Sequence, residues 1–279
     1  MVLAVVGLGL IGGSMATDLR KRGFVTRVLG VDRDPLHADA AKRLGIVDEI
    51  CELPDAVKQA DLIISATPVS ASATLIPQIL DLVENQVVTD VGSTKTQVMK
   101  AVADHPRRSR FVGSHPMAGT EHSGPWAALS NLFDGKAAII CDADDSAPEA
   151  VDLVTRMYDA LNMRVVQLNA ATHDLHVAYV SHISHVSSFA LALTVLEKEK
   201  DEATIFDLAS GGFSSTARLA KSASAMWTPI FTQNSENILN VLDDYIEKVQ
   251  QFRDAIAEKD EQKLSKLMSD ANRIRRVLS

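Results

Sequence analysis

LAVVGLGLIG, residues 3–12, is an apolar β-prone run that passes directly into a G-x-G-x-x-G spacing. Gly7 suits a tight turn, Gly9 lets backbone approach a pyrophosphate, and Gly12 allows a helix to pack closely on the strand. The helix that follows turns its positive end toward that phosphate, so Leu10 and Ile11 in its first turn belong to the same binding loop. Asp32 ends the next β-prone run, twenty residues beyond Gly12, where a carboxylate accepts hydrogen bonds from an adenosine ribose. A purely structural glycine turn is the alternative, but strand, helix and acid stand in the order a dinucleotide site requires. Asp32 would repel a 2′-phosphate, which selects NAD. Arg33 beside it keeps NADP as the alternative.

Outward from this stretch, the first 168 residues alternate β-rich and helical runs. Strands are predicted at Leu3–Val6, Val28–Val31, Leu62–Ser65, Val87–Asp90, Phe111–Gly113, Ala137–Ile140 and Arg164–Gln167. Amphipathic helices are predicted at Met15–Arg22, Leu36–Leu44 and Thr96–Ala103. Before another helix, Ser146 is placed as cap, with Pro148 in the first turn and Glu149 completing a capping box. This pattern reads as an α/β Rossmann-type doubly wound parallel sheet.

From residue 169 the strands stop. Residues 170–197 are long and apolar, Ile238, Leu242, Tyr245, Val249, Phe252 and Ile256 form one helical stripe, and Leu264, Leu267, Ala271, Ile274 and Leu278 form another. Two domains are therefore expected: 1–168 binding the dinucleotide, and an all-α domain over 169–279 that binds substrate and pairs with a second copy as a homodimer. Helices that merely pack on one another are the alternative.

The bulk numbers fit that reading. At 279 residues, with 46% hydrophobic and 23% charged residues, the chain resembles an ordinary globular protein. A net charge of −8 argues against nucleic acid as partner. Residues 2–17 carry no charge, but no basic residue precedes them, Arg20 and Lys21 follow them, and glycines interrupt them. A secretory or membrane role is not expected, and Cys51 and Cys141 form no motif. The expected setting is the cytoplasm, with free thiols.

Three motifs follow predicted strands at the carboxyl edge of the sheet, where such folds gather ligands. They are Ser65-Ala-Thr-Pro-Val69, which brings Thr67 and Pro68 to the cofactor, Asp90-Val-Gly-Ser-Thr-Lys95, and GSHPMAGTEHSG from Gly113. Ser93, His115, Thr120 and Glu121 are expected to converge there, in a loop aimed by the glycines and Pro116. A histidine suits an alcohol oxidation because its pKa lets it take the hydroxyl proton as hydride leaves. His182 and His185 share a helix face just after His173 and His176. Metal ligation lacks a supporting acid or thiol pattern and is not expected. Contacts to an anionic substrate or ordinary core bonding remain open for these histidines. The glycine-rich turn at Gly211 leads to Arg218, which suits a carboxylate, although a helix cap and a surface arginine are the simpler alternative.

GLGLIGGS, DVGSTK, GSHPMAGTEHSG, the histidine pair of VSHISH, GGF…TAR and Met226-Trp227 occur in an order that resembles the prephenate/arogenate dehydrogenases of tyrosine biosynthesis. The resemblance runs over nearly the whole chain and implies oxidative decarboxylation of prephenate to 4-hydroxyphenylpyruvate with NAD. It further implies that His115 is the catalytic histidine on the substrate hydroxyl and that Ser93 helps orient both, next to the nicotinamide. Arg218 would hold a substrate carboxylate, while His182, His185, Asp174, Thr120, Glu121, Gly211 and Trp227 line or shape the pocket. Arogenate as substrate is the alternative. The chain departs from the family pattern at Ser214-Ser215, where charged residues are usual, and at Thr228-Pro229. No mutase or regulatory domain is expected after the last helix. Two rivals stay open: a 3-hydroxy-acid dehydrogenase, for which Lys198, Lys200 and Lys221 lack a catalytic motif, and a non-catalytic NAD sensor.

Overall fold

The computed structural model describes residues 1–200 and 204–277; Leu278 of the final predicted stripe lies outside them. Eight strands form one sheet: β1 (Val2–Val6), β2 (Arg27–Val31), β3 (Glu49–Ile50), β4 (Leu62–Ser65), β5 (Val87–Asp90), β6 (Phe111–Pro116), β7 (Ala137–Cys141) and β8 (Arg164–Leu168). Their spatial order is β3-β2-β1-β4-β5-β6-β7-β8, so the chain reverses direction across the sheet between β1 and β4. That switch point opens a crevice at the strands' carboxyl ends.

The helices between strands are α1 (Leu10–Lys21), α2 (Pro35–Arg43), α3 (Leu53–Gln59), α4 (Val69–Leu82), α5 (Thr96–Val102) and α6 (Pro148–Ala160). Side chains alternate along β1, with Leu3 and Val5 in one buried cluster and Ala4 and Val6 in the other. The first cluster packs Met15 and Leu19 of α1 with Val154 and Met157 of α6; the second takes Val57, Ile76, Leu80 and Val102. Both faces of the sheet are covered, which is why its strands read as continuous apolar runs.

Three sequence expectations change. The sheet is mostly parallel, but β6 and β7 pair antiparallel, with Ser114 opposite Ile140 and His115 opposite Ile139. This pairing extends β6 to Pro116, so His115 sits in a strand and not in a loop shaped by glycines. The two-residue edge strand β3 was too short to carry a periodic signal. Finally, α6 has Ala147 at its N-cap and no side-chain cap bond. Ser146 instead turns inward and donates to the Phe111 carbonyl at 2.6 Å, while Glu149 faces Arg110 at 3.4 Å.

Beyond β8 come α7 (Ala170–Val177), a π turn at Ala178–His182, and α8 (Ile183–Glu199). This helical run is apolar and long enough to cross a membrane by composition and length alone. Next come α9 (Gly211–Ala217) and α10 (Ser224–Gln233), then α11 (Ser235–Ala257) and α12 (Glu261–Ala271). The chain divides into two compact units, residues 1–234 and 235–279. Within the second, α11 and α12 pack together across a turn in which Lys259 has φ 55°, and Asp260 caps α12 by accepting from the Lys263 N–H at 2.9 Å.

Candidate active site

The glycine turn meets the demands read from its spacing. Gly7 has φ +96°, and a Cβ there would lie 2.6 Å from the Ala66 carbonyl oxygen. A Cβ at Gly12 would lie 2.1 Å from the Gly7 oxygen and 2.9 Å from Val5 Cγ1. At Gly9, by contrast, a Cβ would enter open space at the start of α1, whose N-cap receives no side-chain bond. Such a cradle, empty of protein and lined by backbone N–H groups, fits a dinucleotide pyrophosphate. Leu10 is buried and Ile11 half-buried behind it. Thr67, half-buried, approaches Ser65 at 3.3 Å between hydroxyls, and exposed Pro68 caps α4.

Asp32 is fixed by two backbone donors, Leu8 N–H at 2.8 Å and Asp34 N–H at 2.9 Å. Its remaining lone pairs suit ribose hydroxyls. Arg33 is exposed. Two residues here carried no signal in the sequence: His37 Nδ1 lies 4.0 Å from the Asp32 carboxylate, and its ring meets Trp126 edge-on at 5.4 Å. Trp126 borders an open cleft of about 570 Å³ between the 121–129 loop and Lys221–Ala223.

Alternation along β6 separates two polar clusters. Ser114 points to α6, bonding Tyr158 at 2.6 Å and Thr89 at 2.9 Å. His115 points the other way, to α7, where its Nδ1 lies 2.9 Å from His173 Nε2. His173 Nδ1 in turn lies 2.8 Å from Asp174 Oδ1, and the Asp174 carboxylate accepts the backbone N–H groups of Lys95 and Thr96 at 2.8 and 2.9 Å. Burial pushes the His115 pKa well below 6.5, helped by His173, Lys95 and His182 nearby. Burial lowers His173 too, partly opposed by Asp174. For Asp174, burial favours the neutral acid, but the bonds from His173, Thr96 and Lys95 outweigh it and hold the pKa below the usual value.

Beneath the Ser93 loop lies a buried ion pair between Lys95 Nζ and Asp90 Oδ2. Asp90 also accepts from Gly92 N–H at 3.1 Å and Ser114 N–H at 3.3 Å. Lys95 stands inside a motif the sequence singles out, yet nothing in the sequence shows that its ammonium is buried. Ser93 is half-buried in this loop, and the His115 Nδ1 bond goes to His173, not to Ser93.

The helical residues form a second cluster. His182 is buried, its pKa lowered by burial to about 4, and its Nδ1 lies 3.2 Å from Asn234 Nδ2. His185 stacks on Trp227 with centroids 3.4 Å apart, and its pKa is also lowered by burial. The indole Nε1 of Trp227 is buried and has no hydrogen-bond partner among the described residues. Pro229, the departure noted after Met226-Trp227, is accommodated inside α10. Asn234 and Gln233 tie α10 inward, the latter through Thr94 at 2.7 Å and the Val69 carbonyl at 2.9 Å; neither had a sequence signal.

Arg218 is half-exposed and meets Glu121 at 3.3 Å, whose pKa is lowered by its own backbone N–H and by that arginine. Thr120 accepts from the His122 N–H at 3.2 Å, and Gly211 is exposed at the start of α9. The structure thus joins His115 to Asp174 through His173, and His182 to Asp174 through Asn234. Glu121 and Arg218 make a separate pair, with no bond from either to His115 among the described residues.

Fold and site together define the class: a Rossmann-type oxidoreductase. Residues 15–167 match the family model of the prephenate dehydrogenase nucleotide-binding domain, and residues 169–270 match that of the prephenate dehydrogenase dimerization domain. The chain belongs to the prephenate dehydrogenase family. It is 31% identical to prephenate dehydrogenase of Bacillus subtilis over 274 residues, covering 96% of this chain and 74% of that one. Its fold matches a prephenate dehydrogenase from A. aeolicus, crystallised with hydroxyphenyl propionate and NAD+, at a TM-score of 0.90 and 29% identity, covering 100% and 98% of the two chains. It also matches Synechocystis arogenate dehydrogenase at 0.80 and 29%, with both chains fully covered.

Proposed function

We propose that the protein oxidatively decarboxylates prephenate to 4-hydroxyphenylpyruvate with NAD, using residues 1–168 for the dinucleotide and 169–279 for substrate and dimer contacts. NAD supplies the hydride acceptor. The His115 imidazole takes the proton of the substrate's ring hydroxyl as that carbon gives up its hydride and becomes a carbonyl. The carboxylate on the opposite ring carbon then leaves as carbon dioxide, its bonding electrons restoring the aromatic ring, and the carbonyl oxygen regains a proton. Aromatisation drives the sequence, so the residues chiefly position the substrate and accept a proton. Ser93 orients the hydroxyl, and Arg218 binds a substrate carboxylate in place of Glu121. His182, His185, Thr120, Gly211 and Trp227 shape the pocket.

The observation that carries this reading is the placement of His115 in β6 with its Nδ1 held by His173 at 2.9 Å: burial lowers the pKa of this ring, so it is neutral and able to accept a proton at physiological pH. NAD is supported by the anchored Asp32 carboxylate, which opposes a 2′-phosphate. The arogenate alternative rests on the likeness to the Synechocystis enzyme. A homodimer is supported by uncovered apolar side chains, Leu193 and Leu196 on α8 and Tyr245, Val249 and Ile256 on α11. A cytoplasmic setting is supported by residues 2–17 lying in β1 and α1, within the folded core, and by two free thiols.

Steady-state rates with prephenate and arogenate, each with NAD and NADP, test the assignment. Prephenate with NAD is expected to give the highest kcat/KM. Arogenate ahead by about tenfold would reassign the substrate, and a comparable NADP lead would reassign the cofactor.

A further inference from the structure

We propose that Asp174 and His173 are positioning residues that hold His115 in the tautomer with a proton on Nδ1 and a bare Nε2, and that Asp174, through Asn234, holds His182 in the opposite tautomer. The proposal rests on the reading of His115 as the base, and it concerns which nitrogen of each ring does the work.

The proton positions follow from the ends of the chain inward. The Asp174 carboxylate is buried and ionised, so it only accepts. With Lys95 and Thr96 N–H groups already bound, its third neighbour is His173 Nδ1 at 2.8 Å, which must carry a proton. His173 is fully buried and neutral, so its Nε2 is bare and can only accept. The atom facing it at 2.9 Å is His115 Nδ1, which must therefore donate. A neutral His115 then has its lone pair on Nε2, the nitrogen free of that bond. When this nitrogen gains the hydroxyl proton, the new charge is shared toward His173 and Asp174 with no ring having to turn.

The second arm starts at the backbone of the same residue. Asn234 Nδ2 lies 2.7 Å from the Asp174 carbonyl oxygen, which fixes that atom as the amide nitrogen. It also lies 3.2 Å from His182 Nδ1, so that nitrogen accepts and the His182 proton sits on Nε2. One residue thereby gives the site a proton acceptor at His115 and a proton donor at His182. Charged and titratable groups around these rings are Asp90 at the end of β5, Lys95 from the β5–α5 loop, His185 from α8, and the members of the two chains themselves.

The test is long-range proton–nitrogen NMR on the full-length protein with 15N-labelled histidine at pH 7.5, which needs neither turnover nor a variant for its first result. We expect His115 protonated at Nδ1 and His182 at Nε2. Free histidine favours the Nε2–H form, so a His115 signal of that kind would overturn the proposal. In kinetics, His173→Leu is expected to lower kcat about 10- to 100-fold with KM for both substrates within about threefold, and His173→Gln, which keeps an acceptor facing His115, to recover part of the loss. Equal kcat in His173→Leu and wild type, with His115→Asn inactive, would overturn the relay alone. Full activity of His115→Asn would instead overturn the base assignment, while the NMR tautomers still judge the relay.

Discussion

Lys95→Met should unfold the protein much more readily than the loss of one surface charge would. Lys95 and Asp90 are both at most 1% exposed, so each ion has given up its hydration and depends on the other. Removing the ammonium leaves the Asp90 carboxylate buried, supported among the described residues by the N–H groups of Gly92 and Ser114 alone. Breaking a buried pair from one side costs about 3–5 kcal/mol. For a unit of this size each kcal/mol lowers Tm by about 2–4 °C, so a fall of roughly 6–20 °C is expected. Urea unfolding at pH 7.5, followed by tryptophan fluorescence and by circular dichroism, would measure it. The control is Asp90→Asn with Lys95→Met. Removing both charges should recover about 1–3 kcal/mol of the loss, though not all of it, because one asparagine oxygen cannot serve both N–H groups. A single variant within about 1 kcal/mol of wild type, or a double variant worse than the two singles summed, would show that the two charges do not depend on each other.

Three further predictions follow from the same geometry. Gly9→Ala should leave Tm unchanged, because its Cβ meets no protein atom, yet weaken NAD binding about tenfold or more by calorimetry; Gly12→Ala should instead destabilise the fold by collision with the Gly7 carbonyl. Stability should fall in mild acid: below about pH 6.5 the unfolded chain takes up a proton that folded His182 refuses until about pH 4. This one histidine contributes about 2 kcal/mol of loss between pH 8 and pH 5, visible in urea midpoints and absent in His182→Gln. Arg218→Gln should raise the KM for prephenate about tenfold or more with a smaller change in kcat, and an unchanged KM would assign the carboxylate to another cation.

Local chemistry made much of this molecule legible. The runs Leu62–Ser65 and Val87–Asp90 are strands over the residues their apolar β-branched composition indicates, because burial on both faces leaves little choice. The glycine turn was readable because its reasons are backbone reasons. What stayed hidden depends on distant partners. The extension of β6 through His115 needs β7 to arrive antiparallel, and Ser146 gives up its cap because the Phe111 carbonyl lies within reach. His173 stood in the sequence as one of four histidines, and only the meeting of α7 with β6 gives it a partner. The bonds of Asp174 to the Lys95 and Thr96 N–H groups and to His173 likewise depend on the meeting of α7 with the start of α5.

We propose that His115 accepts the hydroxyl proton in an NAD-dependent oxidation of prephenate. The most direct measurement compares His115→Asn with wild type, following NADH formation from prephenate and, separately, the Kd for NAD. A loss of kcat of about 10²–10⁴-fold is expected, with the NAD Kd within about twofold. A variant that keeps its kcat would contradict it.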